Sequence, residues 1–484
     1  MVEQQVQQQT SLELYEQELR DKAQTGDPVA CFNLVDHFER KGKADNLLEA
    51  QYRTNFLMQA SNQGLGAASI LLATWYLNGH YVNKDIAKAI LFFEHAASVG
   101  KSPMGYYRLA ELFESGEYLP ANVDKAEQYL QKAFKAGYPD AIFTVAVKQL
   151  ETDQDKAFKL LQDNYVKHAH IRSLLILNDH PEFNQEKLVK LLAQYSTTES
   201  FAAALYAAKL FDHQQFDVIE TPLAFAKTHN NPIAYYVAGL MALKLQNTEQ
   251  AYQEMLVAAE LGHIEAAYRV AVALSQQADE IEDEKAKHDV VQKMLGFFAK
   301  AAQNGFAPAQ YSLAQCWLQG IGLEKNQQEA LGWLERAAQQ GHVDASFTLA
   351  MNLPMEHPQH LPLLQQAAQA GHSQAMLCVG MYLQYQNQAE QAMAWFEHAK
   401  QVGDLRADYL IALAYRDGVG VEADPKKAID FLKLASDHGD TDAHFALYEA
   451  YRDGVGVRRN KKSQAKYLKL AQAQGHPEAQ DIKE

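Results

Sequence analysis

The sequence predicts an all-α solenoid of stacked helix hairpins, and three observations lead there. First, a chain of 484 residues with 48% apolar and 10% aromatic residues can bury a core or build a long repeat array. Second, the pattern Ala-x3-Gly-x3-Ala recurs around Gly64, Gly137, Gly262, Gly305, Gly341, Gly371, Gly403, Gly439 and Gly475. With Gly100 counted between Gly64 and Gly137, most of the spacings are 36 residues or close to it; 341 to 371 is 30, 371 to 403 is 32, and 262 to 305 is 43. Third, the segments between the glycines place apolar residues at i, i+3/i+4 and i+7, as in Glu329 to Ala338. The repeat is strongest where Tyr415-Arg-Asp-Gly-Val-Gly-Val421 returns letter for letter as Tyr451 to Val457, 36 residues on.

Along the chain, residues 1–12 are a Gln-rich extension. Residues 13–141 hold N-terminal repeats, with Gly100 keeping Ala96 and slipping by one residue so that Gly105 stands where the second alanine belongs. Their inner turns are Lys41-Gly42, Asn78-Gly79 and Ser115-Gly116. Residues 142–230 contain no glycine, yet helical periodicity persists in Ala157 to Leu161 and Phe201 to Tyr206, with a loop around Asn178 to Pro181; these read as degenerate helix pairs. Residues 231–475 return to the full pattern, with inner turns at Gly320-Ile-Gly322, Gly418-Val-Gly420 and Gly454-Val-Gly456. The acidic run from Ala278 to Lys287 accounts for the 43-residue spacing as a lengthened helix or loop with a solvated face. Residues 476–484 form a short polar cap.

Each position in the unit has a physical cause. A glycine such as Gly341 ends one helix because it adopts the left-handed conformation without steric cost. The next helix starts within about three residues, with Asp344 or Asp442 placing a carboxylate at its positive end. The flanking alanines let the two helices approach closely.

This pattern resembles the Sel1-like repeat family, related to tetratricopeptide repeats. It does so most clearly in Ala309 to Gly322 followed by Glu329 to Gly341, in Ala407 to Gly439, and in Ala443 to Gly475. The resemblance implies a right-handed α/α superhelical solenoid of helix hairpins, roughly thirteen of them. It also implies a non-catalytic adaptor that binds protein partners, typically in bacterial signalling, envelope assembly, secretion machinery or host interaction. Some relatives bind β-lactams through paired cysteines in every repeat, a pairing this sequence lacks.

The residues themselves offer little chemistry. The net charge of −16 argues against a basic nucleic-acid groove. The GxG turns lack the strand and the G-K-[ST] that phosphate loops require. Cys31, Cys316 and Cys378 stand far apart, which fits reduced core thiols. His263, His342, His372 and His476 each follow a turn glycine, a repeat or more apart, and read as polar residues at helix starts. His168 with His170 and His357 with His360 lack a positioned third ligand. No catalytic set, cofactor or metal is expected. The N-terminus shows no basic n-region and no apolar run, and no stretch reaches the ~20 apolar residues of a membrane span, so a cytoplasmic protein is expected.

What remains is surface. The residue two after the alanine opening each first helix is usually aromatic: Phe32, Phe143, Tyr236, Tyr268, Tyr311, Phe347, Tyr409, Phe445. By analogy with tetratricopeptide packing this position borders the inner, concave groove. The expected partner-facing set there is Tyr268, Tyr311, Gln315, Tyr409, Arg416, Phe445, Glu449 and Arg452, with Arg416 and Arg452 two turns along from Tyr409 and Phe445. A basic C-terminal patch of Arg458, Arg459, Lys461 and Lys462 reverses the sign of the chain locally, suiting an acidic protein or an anionic membrane surface. The alternatives are an exported protein meeting host or envelope partners, self-association, and, ranked last, a β-lactam-binding enzyme-like member of the family.

Overall fold

The computed structural model describes residues 14–41 and 47–482; the Gln-rich extension and the turn glycine Gly42 lie outside them. The described residues are all-α, with no strand among them. The chain divides into two compact units between Leu191 and Leu192.

The first unit opens with a helix over residues 14–24, followed by Pro28–Lys41 and Leu47–Asn62. Hairpins then follow as Gly66–Asn78 with Ile86–Ser98, Pro103–Ser115 with Val123–Lys135, and Pro139–Gln149 with Gln154–His168. In the second unit the hairpins run from Ser200–Asp212 with Glu220–Thr228 to Thr441–Asp453 with Lys461–Ala473, and the short helix Pro477–Gln480 closes the end. Gln472 holds that cap, its side-chain amide donating to the carbonyls of Ala479 and Ile482 at 2.9 Å.

Alanine makes the stack possible. Ala337 and Ala345, Ala399 and Ala407, and Ala435 and Ala443 flank their glycines, and all are fully buried. A methyl group at these positions lets the backbones on either side of the turn come close, where a larger side chain would force them apart.

The inner turn of a hairpin has a long and a short form in the second unit, and the difference shows in the repeat spacing. The long form spans seven residues, as in 320–326, 418–424 and 454–460. Its first glycine takes the left-handed cap, with φ of +77° at Gly320, +69° at Gly418 and +80° at Gly454. The loop is then locked by the amide of the next helix's N-cap, which donates to an aromatic residue's carbonyl: Asn326 to Trp317 (3.1 Å), Asp424 to Tyr415 (2.9 Å), Asn460 to Tyr451 (3.2 Å). The second glycine answers a different need. A Cβ on Gly420 would overlap the carbonyl oxygen of Ala389, and one on Gly456 that of Pro425, so each loop lies directly on the preceding hairpin's second helix. The short form, residues 386–388, has three residues, and that saving of four explains the 32-residue spacing from Gly371 to Gly403.

The 43-residue spacing proves to be lengthened helices joined by a short turn. Ile264–Glu280 has 17 residues and Glu284–Gln303 has 20, against 13 in the hairpins on either side. The glycine-free stretch is helical too, with the expected break after Asp179. Its turns use Ala169 (φ +50°), Gln214 (φ +57°) and Asn230 (φ +52°) in left-handed conformations that glycine supplies elsewhere. Non-glycine residues there cost roughly 1–2 kcal/mol each, Asn the least.

Candidate binding surface

In four hairpins the aromatic residue of the first helix stacks on the histidine that starts the next first helix. His263 stacks on Tyr236 with centroids 4.2 Å apart and planes 18° apart, His342 on Tyr311 (4.9 Å, 24°), His372 on Phe347 (4.3 Å, 25°) and His476 on Phe445 (4.3 Å, 15°). Each histidine is also the N-cap of its helix: Nδ1 accepts from the backbone amides of Ala266, Ala345, Ala375 and Ala479 at 3.1–3.4 Å. An accepting Nδ1 places the ring proton on Nε2. That nitrogen lies 3.7 Å from Asp344 in His372 and 3.4 Å from Asp442 in His476, both carboxylates of the preceding repeat. The histidines therefore join cap, stack and cross-repeat polar contact in one side chain. Sequence reading found their position and missed the stack, because the partner lies about 30 residues away in the previous hairpin.

This geometry locates the expected partner-facing residues. Tyr311 and Phe445 are covered on one ring face by His342 and His476, and Phe445 is buried. Tyr268 packs against Phe306, which holds the histidine's place after Gly305, at 5.2 Å. Gln315 is half-buried and accepts from Gln319 one turn on, at 3.3 Å. Tyr409 differs. Asp440 stands where the histidine would be, and Tyr409 is half-buried with its hydroxyl pKa raised, first by burial and then by Asp442 and Asp440.

Arg416 and Arg452 are exposed but not free charges. Arg416 grips Asp417 at 2.7 and 2.9 Å, and Arg452 grips Asp453 at 2.9 and 2.7 Å, each in a two-pronged pair. Arg452 also lies 3.5 Å from Glu449 and over the Tyr448 ring at 5.4 Å. Across the two duplicated hairpins, Arg416, Glu449, Asp453 and Val455 rim a recess of about 180 Å³ floored by Ile429, Leu432 and Ala446. Arg416 and Glu449 are among the charges that act on the Tyr409 hydroxyl; Tyr268, Tyr311 and Gln315 belong to earlier hairpins.

The basic patch is exposed at Arg458, Arg459, Lys461 and Lys462, with Arg459 Nε donating to the Asp453 carbonyl at 3.1 Å. Lys461 and Lys462 occupy the first turn of their helix, which holds no acid there. Cations at a helix N-terminus oppose its dipole, so the placement costs stability. Cys31 and Cys316 are buried and Cys378 half-buried, all three as free thiols; burial lifts the Cys316 pKa to about 11. Among the described residues no three histidine, cysteine or acidic side chains converge to hold a metal, and no helix is long and apolar enough to cross a membrane.

The Sel1 repeat family model matches residues 66–101, 103–138, 307–342, 405–440 and 442–476, each stretch running from the start of one first helix to the turn before or at the start of the next. This chain carries five Sel1 repeats. Among solved structures, a protective antigen of uropathogenic Escherichia coli strains that displays an SLR fold is 18% identical, with 96% of this chain and 88% of that one covered, at a TM-score of 0.46. A Sel1 repeat protein from Oxalobacter formigenes is 23% identical over 49% of this chain and 96% of its own, at a TM-score of 0.41. No curated protein matches the sequence. A Sel1-repeat solenoid is a fold typical of protein-interaction scaffolds.

Proposed function

We propose that this Sel1-repeat protein is a non-catalytic adaptor that holds a protein partner on the surface of its first helices, in the cytoplasm of a bacterial cell, as an accessory to an envelope, secretion or signalling assembly. The observation that carries the reading is the surface at the duplicated C-terminal hairpins. Arg416 and Glu449 line an apolar-floored recess of about 180 Å³, and Tyr409, which carries no histidine cap, feels the charge of both. An aromatic side chain near opposite charges at a small apolar hole is what a binding hot spot is made of. The neighbouring basic patch extends the surface toward an acidic partner, and its lysines stand where helix stability disfavours them, as expected when binding decides the residue. Three separated thiols suit a reducing compartment.

The test is affinity purification of the full chain from its host with mass spectrometry, beside Tyr409→Ala and Glu449→Lys variants. A discrete protein recovered by the native chain and lost from both variants, with their thermal melts unchanged, supports the reading. A partner set unaltered by these changes, and by converting Lys461 and Lys462 to Glu, overturns it. Cell fractionation checks the compartment.

A further inference from the structure

The lengthened hairpin makes a second site. Helix Ile264–Glu280 exceeds the preceding hairpin's helices, Pro232–Lys244 and Thr248–Glu260, by four residues, about 6 Å of rise. That hairpin turns back at residues 245–247, and alongside the long helix lies a groove of about 570 Å³. Its lining is mainly apolar: Leu243, Tyr252 and Met255 from that hairpin, Tyr268 and Val272 from the long helix, and Phe306 from the turn before the next hairpin. Leu243 is 42% exposed, an apolar side chain left at the rim.

The two ends of the groove carry different charge. At one end Glu265 and Arg269 neutralise each other at 2.9 Å. At the other, the same helical stripe runs on from Val272 through Gln276 to Asp279 and Glu280, one turn beyond. There five of the six residues from Asp279 to Glu284 are acidic, and all five are exposed; Lys285 and Lys287 follow on the second helix. An isolated acidic run is a solvated tip. An acidic run continuing the wall of an open apolar groove selects for charge as well as shape.

We infer that this groove binds an extended segment of a partner protein that seats one large apolar side chain against Leu243, Met255 and Tyr268 and sets lysine or arginine residues against Asp279, Glu280 and Glu282. The inference rests on the scaffold reading and gives that scaffold a second, distinct site. Apolar burial supplies the anchor, and the acidic tip speeds encounter and fixes direction.

The probe is a phage-displayed library of random 12-residue peptides panned on the immobilised full chain. Selected sequences are then remade as fluorescent peptides for anisotropy titration. Two variants report on the two halves: Leu243→Arg fills the rim, and the triple change Asp279→Lys, Glu280→Lys, Glu282→Lys reverses the tip. All four positions are exposed, and Asp283 is spared because its carboxylate caps the second helix at the Ala286 amide.

Enriched peptides should pair an aromatic or aliphatic residue with nearby Lys or Arg. Leu243→Arg should weaken them about tenfold or more. The triple change should weaken them several-fold at low salt and flatten their salt dependence. Acidic peptides, peptides indifferent to both variants, or a second copy of this chain competing them away in place of a foreign segment would each overturn the groove assignment. Peptides lost only on Tyr409→Ala would do so while leaving the scaffold reading standing. No enrichment at all would count against both.

Discussion

Gly341 and Gly456 share a left-handed backbone, with φ of +82° and +71°, but differ in their surroundings. A Cβ on Gly341 meets open space, whereas one on Gly456 meets the Pro425 carbonyl. Gly341→Ala should therefore cost about 1–2 kcal/mol from backbone strain alone, and Gly456→Ala about 1–3 kcal/mol more from overpacking. Urea midpoints rank the pair, and equal losses would contradict the close approach of the loop. Ala169→Gly should go the other way, raising stability by up to about 1 kcal/mol as the strain at φ +50° is relieved. The capping histidines add a pH dependence. Burial lowers the pKa of His263 and of His342, against the opposing pull of Glu265 and Asp344. A histidine held below its unfolded value favours the neutral folded form. Its contribution is complete above the unfolded pKa of about 6.5 and is lost as pH falls through the depressed folded pKa. Protonation of Nδ1 would also remove the cap acceptor and put a cation at the helix's positive end. The denaturation midpoint should thus fall between pH 7.5 and 5, and His342→Asn, which keeps a cap, should reduce the fall.

At the scale of the element, a hairpin is held by what crosses it. Tyr415 stacks on Phe431 and Tyr451 on Tyr467, each pair at 5.7 Å and 7°. Phe396, 2% exposed, lies so close to Gly380 that no larger residue fits there, and Phe396→Ala should cost about 3–5 kcal/mol. The last hairpin trades stability for charge. Changing Lys461 and Lys462 to Glu should stabilise the hairpin by about 0.3–1 kcal/mol per residue and so raise the thermal midpoint, because the helix dipole then favours both side chains. The same change should weaken capture of an acidic partner; a gain in both properties would show that the patch has no binding role. The duplicated turns were legible because glycine has no substitute where a loop must lie on a backbone carbonyl. The turns of residues 142–230 were not, since Ala169 and Gln214 adopt the same conformation at a cost no local pattern announces.

Across each unit, helices pack mainly on their neighbours in sequence, so stability is a sum over hairpins and the interfaces between them. Leu468→Ala, at a buried position of the last hairpin, should loosen hydrogen exchange in Thr441–Asp453 and Lys461–Ala473. Amides of Glu284–Gln303, several hairpins away, should keep their protection. A uniform loss across the second unit would mean that it unfolds as one block. The charge of the chain also makes sense only at this scale. The net −16 hides an acidic tip at 279–284 and a basic end at 458–462, two surfaces of opposite preference on one unit.

The one-dimensional pattern determined the hairpin, its period and its class, because glycine, alanine and a 3.6-residue apolar stripe act over a few neighbouring residues. It also located the histidines, the aromatic position and the charged C-terminal residues. Only the tertiary structure decided what these side chains face. It set histidine rings over aromatics one repeat back, turned Arg416 and Arg452 onto their own aspartates, and opened an apolar groove beside helices that overhang their neighbours. Those outcomes depend on distances between residues some 30 apart, and such distances exist only once the hairpins have stacked.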